Sequence, residues 1–374
     1  MFTPTHCPNP DCHYFEHPER PDWFYRTGFY TTITFGSVPR FQCKACRRSF
    51  SKQTFSIDYY AKRRLDYRYI YNQINAGAGI RNIARNLQVK DSAVTNRINR
   101  MARNAVIANQ RIVDHLPFQE DLVLDGLQNF CVSQYFPDNY TVLVGKDSQF
   151  VYDCDYATLR RAGRMTARQK KTRAELEKRF RPPSRSIEKS FTRLLHLIAG
   201  KRPERTIPLI LYTDEKTDYQ RALWRSPMSE QMFSGRWRHY RTNSKEGRNQ
   251  KNPLFAANYI DREIRKDMAS QSRETVQFPR NASNAMLRMS LYLFDHNVTK
   301  PYRINDREMR EWRHAQVAGL SPDTLRHLTE EFFTRRFFVP RKLELSESSR
   351  MTLGRRWVTP LKRNPEVVWR YLAA

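Results

Sequence analysis

Two close pairs of cysteines constrain this chain more than any other feature. Cys7 and Cys12 form a C-x4-C pair, and Cys43 and Cys46 form a C-x2-C pair further along. Each pair sits in a knuckle-like turn: CPNPDC carries two prolines, and CKAC runs into RRSFS. A tight turn aims two thiolates at one point. Two such turns complete a tetrahedral four-sulfur site of the kind Zn2+ takes in a structural role. The intervening WFYRTGFYTTITFGSVPRFQC is rich in Tyr, Phe, Thr and Ile with glycine punctuation, which reads as β-strands. Residues 1–57 are therefore expected to form a β ribbon closed around structural Zn2+ by Cys7, Cys12, Cys43 and Cys46. Four sulfurs fill the coordination shell, so His6, His13 and His17 read as surface residues. Cys131 and Cys154 stand alone in apolar, strand-like segments and read as buried thiols. This cysteine usage suits a reducing cytosol.

A helical region follows, expected over residues 58–112. Residues 62–76 read as a basic, Tyr-rich helix, broken by Gly77 and Gly79. Ile80, Ile83, Ala84 and Leu87 then fall on one helical face. After a short turn, Asp91-Ser92 is a plausible cap, and Val94, Ile98 and Met101 line the inner face of a second helix. Two apolar-faced helices across a short turn make a helix-turn-helix. The outward face is expected to present Ser92, Thr95, Asn96, Asn99, Arg100 and Arg103, small polar groups and arginines suited to a DNA groove and its phosphates. An ordinary helical hairpin is the alternative.

Charge supports the nucleic-acid reading. The chain has 374 residues with a formal net charge of +28, and a folded chain with that surplus suits a polyanionic partner. Neither an apolar run of about 20 residues nor a secretory signal is visible, so membrane and secreted readings are disfavoured. Charge alone does not separate a binder from an enzyme.

The second half carries the candidate chemistry. Asp121 to Phe130 reads as a strand ending at Asp125-Gly126, with further strands at Tyr140–Val144 and Phe150–Asp153. A basic segment over 158–185 reads either as a solvated surface helix or loop or as an insertion that grips DNA. Residues 186–200 form an amphipathic helix. TIPLILYTDE is a short buried strand ending at Asp214, and Leu254–Ala269 reads as a helix. Strand-Asp, two strands, helix, strand-Asp and acidic helix is the order of an RNase H-like nuclease or transposase core. Carboxylates held at strand tips and on a helix suit two Mg2+ ions acting on a phosphodiester. In FSGRWRHYRTNSKEGRNQKNPLF, Trp237, His239 and Tyr240 suit either base stacking or a packed connector. Asp153, Asp155, Glu215 and Asp218 read as surface or capping residues.

Over most of residues 1 to about 305 the chain resembles the DDE-type insertion-sequence transposases with an N-terminal zinc ribbon. The resemblance rests on CPNPDC…CKACRRSFS, the helix-turn-helix, LVLDGL, LYTDE and NYIDREIRKDMASQSRETVQF. It implies an enzyme that nicks element ends and joins them to target DNA, using Mg2+ or Mn2+. Partners would be double-stranded DNA and further copies of the chain, in a cytoplasmic, nucleoid-associated setting. It places catalytic acids on Asp125 and Asp214. Aligned through Arg273, Thr275 and Phe278, the family's third acid falls on Asn258, and its asparagine falls on Asp261. These positions are i and i+3 on one helix face. Asp261 is therefore taken as the acid, with Asn258 beside it and Arg265 one turn on. Glu263 points away.

The expected architecture is multidomain α+β and α/β. A ribbon over 1–57 precedes a helix-turn-helix over 58–112 and a mixed-sheet core over 118–300 that carries the 158–185 insertion. A basic C-terminal extension spans 301–374, with a helix from Ser321 to Arg335 and a strand at FFVPRKLEL. A non-enzymatic zinc-ribbon, helix-turn-helix DNA-binding protein, or a transposase that has lost catalysis, is the rival reading.

Overall fold

The computed structural model describes residues 2–201, 207–243, 246–247, 249–272, 277–339, 346–354, 358–359 and 362–363. It is mixed α+β, with a three-stranded antiparallel sheet and a five-stranded mixed sheet. The first sheet is built from β1 (Phe24–Thr32), β2 (Gly36–Cys43) and β3 (Ser49–Ser51). Its core holds Trp23, Phe41 and Phe50, with Trp23 stacked on Phe50 and the cysteines beside them. β1 turns into β2 at Gly36, whose φ of +64° is reached cheaply only by glycine.

Three helices follow: α1 (Tyr67–Asn75), α2 (Ile80–Asn86) and α3 (Asp91–His115). The side chain of Asp66 caps α1 by accepting from the Tyr69 amide. Helix α3 runs 25 residues to His115, where the helical pattern of the sequence ends, three residues past the domain boundary expected at 112. Its apolar side packs on α1, α2 and the helix at 282–298 and also reaches the large sheet.

The large sheet contains β4 (Leu122–Phe130), β5 (Pro137–Gly145), β6 (Val151–Thr158), β7 (Leu209–Asp214) and β8 (Trp237–Thr242). Their order is β6-β5-β4-β7-β8. The first three are mutually antiparallel, whereas β7 is parallel to β4 and β8 is parallel to β7. Between β6 and β7 lie α4 (Ala167–Arg179) and α5 (Ser186–Ala199). After β7 come α6 (Thr217–Trp224) and α7 (Met228–Phe233), and after β8 come α8 (Phe255–Asp267) and α9 (Ala282–Val298). Then follow α10 (His314–Val317), α11 (Pro322–Phe332) and α12 (Glu347–Gly354).

Side-chain alternation splits the sheet into two faces. Leu122, Leu124, Leu143, Leu209 and Leu211 join Phe191, Leu194 and Leu195 of α5. Val123, Leu127, Tyr140, Val142 and Val144 join Ala257, Ile260 and Ile264 of α8 and Met286 and Met289 of α9. The sheet is therefore a filled layer between helices.

The C-terminal part is packed onto the rest. Ser56 bridges Arg335 in antiparallel fashion, and the Ile57 amide donates to the Thr334 carbonyl at 3.1 Å. Asp155, expected at the surface, is fully buried; it pairs with Arg193 and accepts from the Ser348 amide, pinning α12 against β6. Helix α4 in the basic insertion buries no side chain, and Arg160 in the same segment pairs with Glu177 at 2.7 Å. Residues 337–339 are not a strand, and the rest of FFVPRKLEL up to 345 lies outside the described residues, as do Arg273 and Thr275. Of the basic, aromatic tail only the short strands Val358–Thr359 and Lys362–Arg363 are described.

Candidate functional sites

The four N-terminal cysteines converge. Their sulfurs all lie within 4.8 Å of one another, with Cys7–Cys46 and Cys12–Cys43 each at 3.6 Å. A tetrahedron with metal–sulfur bonds of about 2.3 Å has edges of roughly 3.8 Å, so the spacing fits a metal such as zinc. Main-chain bonds shape the two knuckles: the Cys7 amide donates to Tyr14 O at 2.7 Å, and the Cys43 amide to Arg48 O at 3.0 Å. Arg47 takes φ +59° to close the second turn. His13 and His17 are exposed, as expected. His6 is not a free surface residue. It is wedged between Phe15, Phe55 and Phe338, and burial lowers its pKa to about 4, with help from Arg111.

The second site forms where β4 and β7 diverge. The parallel register pairs Leu122 with Leu211 and Val123 with Tyr212. Continued by two residues, it sets Asp125 level with Asp214. Alternation turns both toward the face covered by α8. Gly126 is required beside Asp125 because a Cβ there would lie 2.5 Å from Oδ1 of the buried Asn139. The result is an open cleft of about 850 Å³ lined by Asp125, Asp214, Asn258, Asp261 and Arg265, together with Lys216, Asn243, Glu246 and Asn252. All five residues expected at the catalytic centre thus share one cavity, drawn from two strands and a helix. Their carboxylate and amide oxygens are hard donors of the type Mg2+ and Mn2+ accept.

The acids are gathered less tightly than the sulfurs. Among the described residues, only the four cysteines form a group of three or more ligand atoms within 4.8 Å. Two side chains from the start of α6 stand among the acids. Lys216 places its ammonium 3.0 Å from Asp214 Oδ2, while its amide donates to Oδ1 at 2.9 Å. The Tyr219 hydroxyl donates to Asp125 Oδ1 at 3.4 Å. Burial pushes the Asp125 carboxyl up; the Lys216 ammonium pulls it back and the Asp214 charge adds to the rise. The Tyr219 hydroxyl is held far above its ordinary range, first by burial and then by the charges of Asp125, Asp214 and, later in order, Asp261. That phenol therefore stays protonated and feels all three acids.

Arg265 spends its guanidinium on main-chain carbonyls, Gln271 O at 3.2 Å and Gln128 O at 2.9 Å, tying α8 to β4. Glu263 pairs with Lys266 at 3.5 Å and does not line the cleft. His239 meets Thr213 Oγ1 at 2.9 Å, and burial lowers its pKa to about 4. Trp237 is buried, whereas Tyr240 is half exposed against Tyr212.

On the expected DNA-reading helix the outcome divides. Ser92 is exposed, and Thr95, Asn96 and Asn99 are half-buried. Arg100 and Arg103 require correction, because both are buried. Arg100 donates to Ile57 O at 2.7 Å and to Asn96 Oδ1, and lies over the Tyr59 ring; Arg103 donates to the Tyr59 hydroxyl at 3.0 Å. The turn at 57–59 covers that side of α3, a contact no helical periodicity reveals. Lys216 and Tyr219 were missed at the acidic cleft. Their only sequence signal was position, two and five residues after a strand-end aspartate.

No helix among the described residues is long and apolar enough to cross a membrane. No protein family matches the chain in a scan of family profiles, and a search of curated proteins finds no match.

Proposed function

We propose that the chain is a DDE-type transposase, binding element-end DNA through a zinc ribbon and a helix-turn-helix and cutting it at an RNase H-like core. The observation that carries this reading is the β4–β7 register, which sets Asp125 beside Asp214 under a helix bearing Asn258 and Asp261. The strand order, three antiparallel and two parallel with helices on both faces, is the one this core requires. Asp125, Asp214 and Asp261 would hold divalent cations. Such ions activate an attacking oxygen and stabilise the departing one. The protein's part is to fix the acids on the sheet and α8 and to keep Tyr219 protonated against Asp125. Helix α2, the turn and the Ser92 end of α3 would meet the duplex, with oligomers assembling on paired ends.

The test is nicking of duplex carrying the inverted repeats that flank the coding region, with Mg2+ or Mn2+. Metal-dependent nicks followed by joined products support the reading. Binding without nicks under every metal condition rejects it in favour of a DNA-binding protein. One observation favours that second reading: the three carboxylates do not share one tight ligand shell, and a protein cation stands among them.

A further inference from the structure

We propose that Lys216 is a built-in counter-ion of the acidic cleft, holding the place of a divalent cation between Asp125 and Asp214 and swinging out when the cation binds. The proposal rests on the cation-binding role assigned to those acids. Its own support is geometric. Both oxygens of Asp214 are occupied from one residue: the Lys216 amide holds Oδ1 and the ammonium holds Oδ2. The ammonium also lies 3.1 Å from the Tyr219 hydroxyl, which reaches Asp125. A single polar chain, Asp214–Lys216–Tyr219–Asp125, therefore links the two carboxylates. Two anions level with each other on neighbouring strands repel, and a positive charge between them relieves that repulsion.

The two members of the link differ in freedom. Tyr219 is fully buried and stacked on Phe191 at 3.7 Å, so it stays. Lys216 keeps 38% of its side chain exposed and stands at the N-cap of α6, facing an open cleft. A flexible four-carbon arm carrying a point charge can be withdrawn without disturbing the fold. The same molecule shows the opposite solution at Asp155, where a fully buried carboxylate is locked by Arg193 and by Ser348 of α12. The lysine is thus the removable partner and the arginine the permanent one.

Displacement makes the two occupants competitors, and coupling of this kind is reciprocal. The test uses the full chain and Mn2+ alone. Free Mn2+ is counted by its paramagnetic resonance signal, and the rate of acylation of each lysine amine is read by mass spectrometry. Lys216 should acylate faster in step with Mn2+ occupancy, while Lys146, paired with Asp121 and Tyr212 away from the cleft, should not change. Lys216→Met should bind Mn2+ roughly tenfold more tightly, and Lys216→Arg more weakly than wild type. Mn2+ bound through Asp125, lost in Asp125→Asn, with Lys216 acylation unchanged, overturns the proposal and leaves the cleft's role intact. No Mn2+ binding that depends on Asp125, in wild type or in Lys216→Met, removes the cation site and the proposal together.

Discussion

The four-cysteine cluster and the acidic cleft are both candidate metal centres, and they are built in opposite ways. The sulfurs come from two turns, close within 4.8 Å and are largely buried. The carboxylates come from β4, β7 and α8, meet in an open cavity and carry a lysine among them. A centre made by local turns is finished once those turns form. One assembled from distant elements depends on strand register and helix packing, and it can remain open enough for a substrate to enter.

The largest expected effect lies at the sulfurs. Structural zinc sites contribute about 10–16 kcal/mol of apparent binding free energy, much of it expressed as folding. Cys12→Ser, or strong chelation, should release stoichiometric zinc and expose residues 7–55 to protease while α3 and the large sheet stay protected. Protection of both regions alike would show that the ribbon stands on its aromatic core alone. At the acids the effect should fall on chemistry. Asp125→Asn or Asp214→Asn is expected to cut metal-dependent nicking by ~1000-fold, about 4 kcal/mol of barrier. Thermal melting of Asp125→Asn should stay level or rise, since burial and the Asp214 charge both work against an ionised Asp125; a clear fall would make this acid structural.

Asp138 on β5 is a third kind of acid, fully buried on the same sheet, and it sharpens the contrast. Burial raises its pKa from the ordinary 3.8 to about 7. Below the lower value both folded and unfolded chains hold the proton. Between the two values the folded chain keeps a proton that the unfolded chain gives up, so stability falls as pH rises, and above about 7 the loss is complete. Asp138→Asn should remove this slope and gain on wild type by roughly 2–4 kcal/mol between pH 4 and pH 8, read from denaturant melts. Parallel curves for the two proteins would show that Asp138 is not under that strain.

The smallest effects separate the buried arginines from the exposed end of α3. Arg100→Ala should cost about 2 kcal/mol of stability by leaving the Ile57 carbonyl without its charged donor. Ser92→Ala should stay within ~0.5 kcal/mol of wild type in stability while weakening duplex affinity, measured by anisotropy. A loss of affinity in folded Arg100→Ala equal to that of Ser92→Ala would return Arg100 to the binding face.

Short-range chemistry made much of this legible in the sequence. Cysteine spacing identified the cluster, and apolar period identified α2, α5, α8 and the strands bearing Asp125 and Asp214. What escaped depended on contacts between distant segments. The strand Trp237–Thr242 reads as a polar connector because it lies at the sheet edge and exposes Arg238, Tyr240 and Arg241. Helix α9 is buried nearly all round and shows little amphipathic contrast. Arg100 and Arg103 resemble surface residues until residues 57–59 are laid over them. Lys216 is an ordinary lysine unless the fold puts two aspartates within its reach.

Helix α3 begins at the exposed turn bearing Ser92 and ends beside the large sheet. At 1.5 Å per residue its 25 residues span roughly 37 Å, close to the rise of eleven base pairs. Its apolar side is clamped by α9 and its buried arginines by Tyr59, so it behaves as a strut. Whatever docks at its free end is thereby held at a set distance from the large sheet, a spacing moulded into the protein itself.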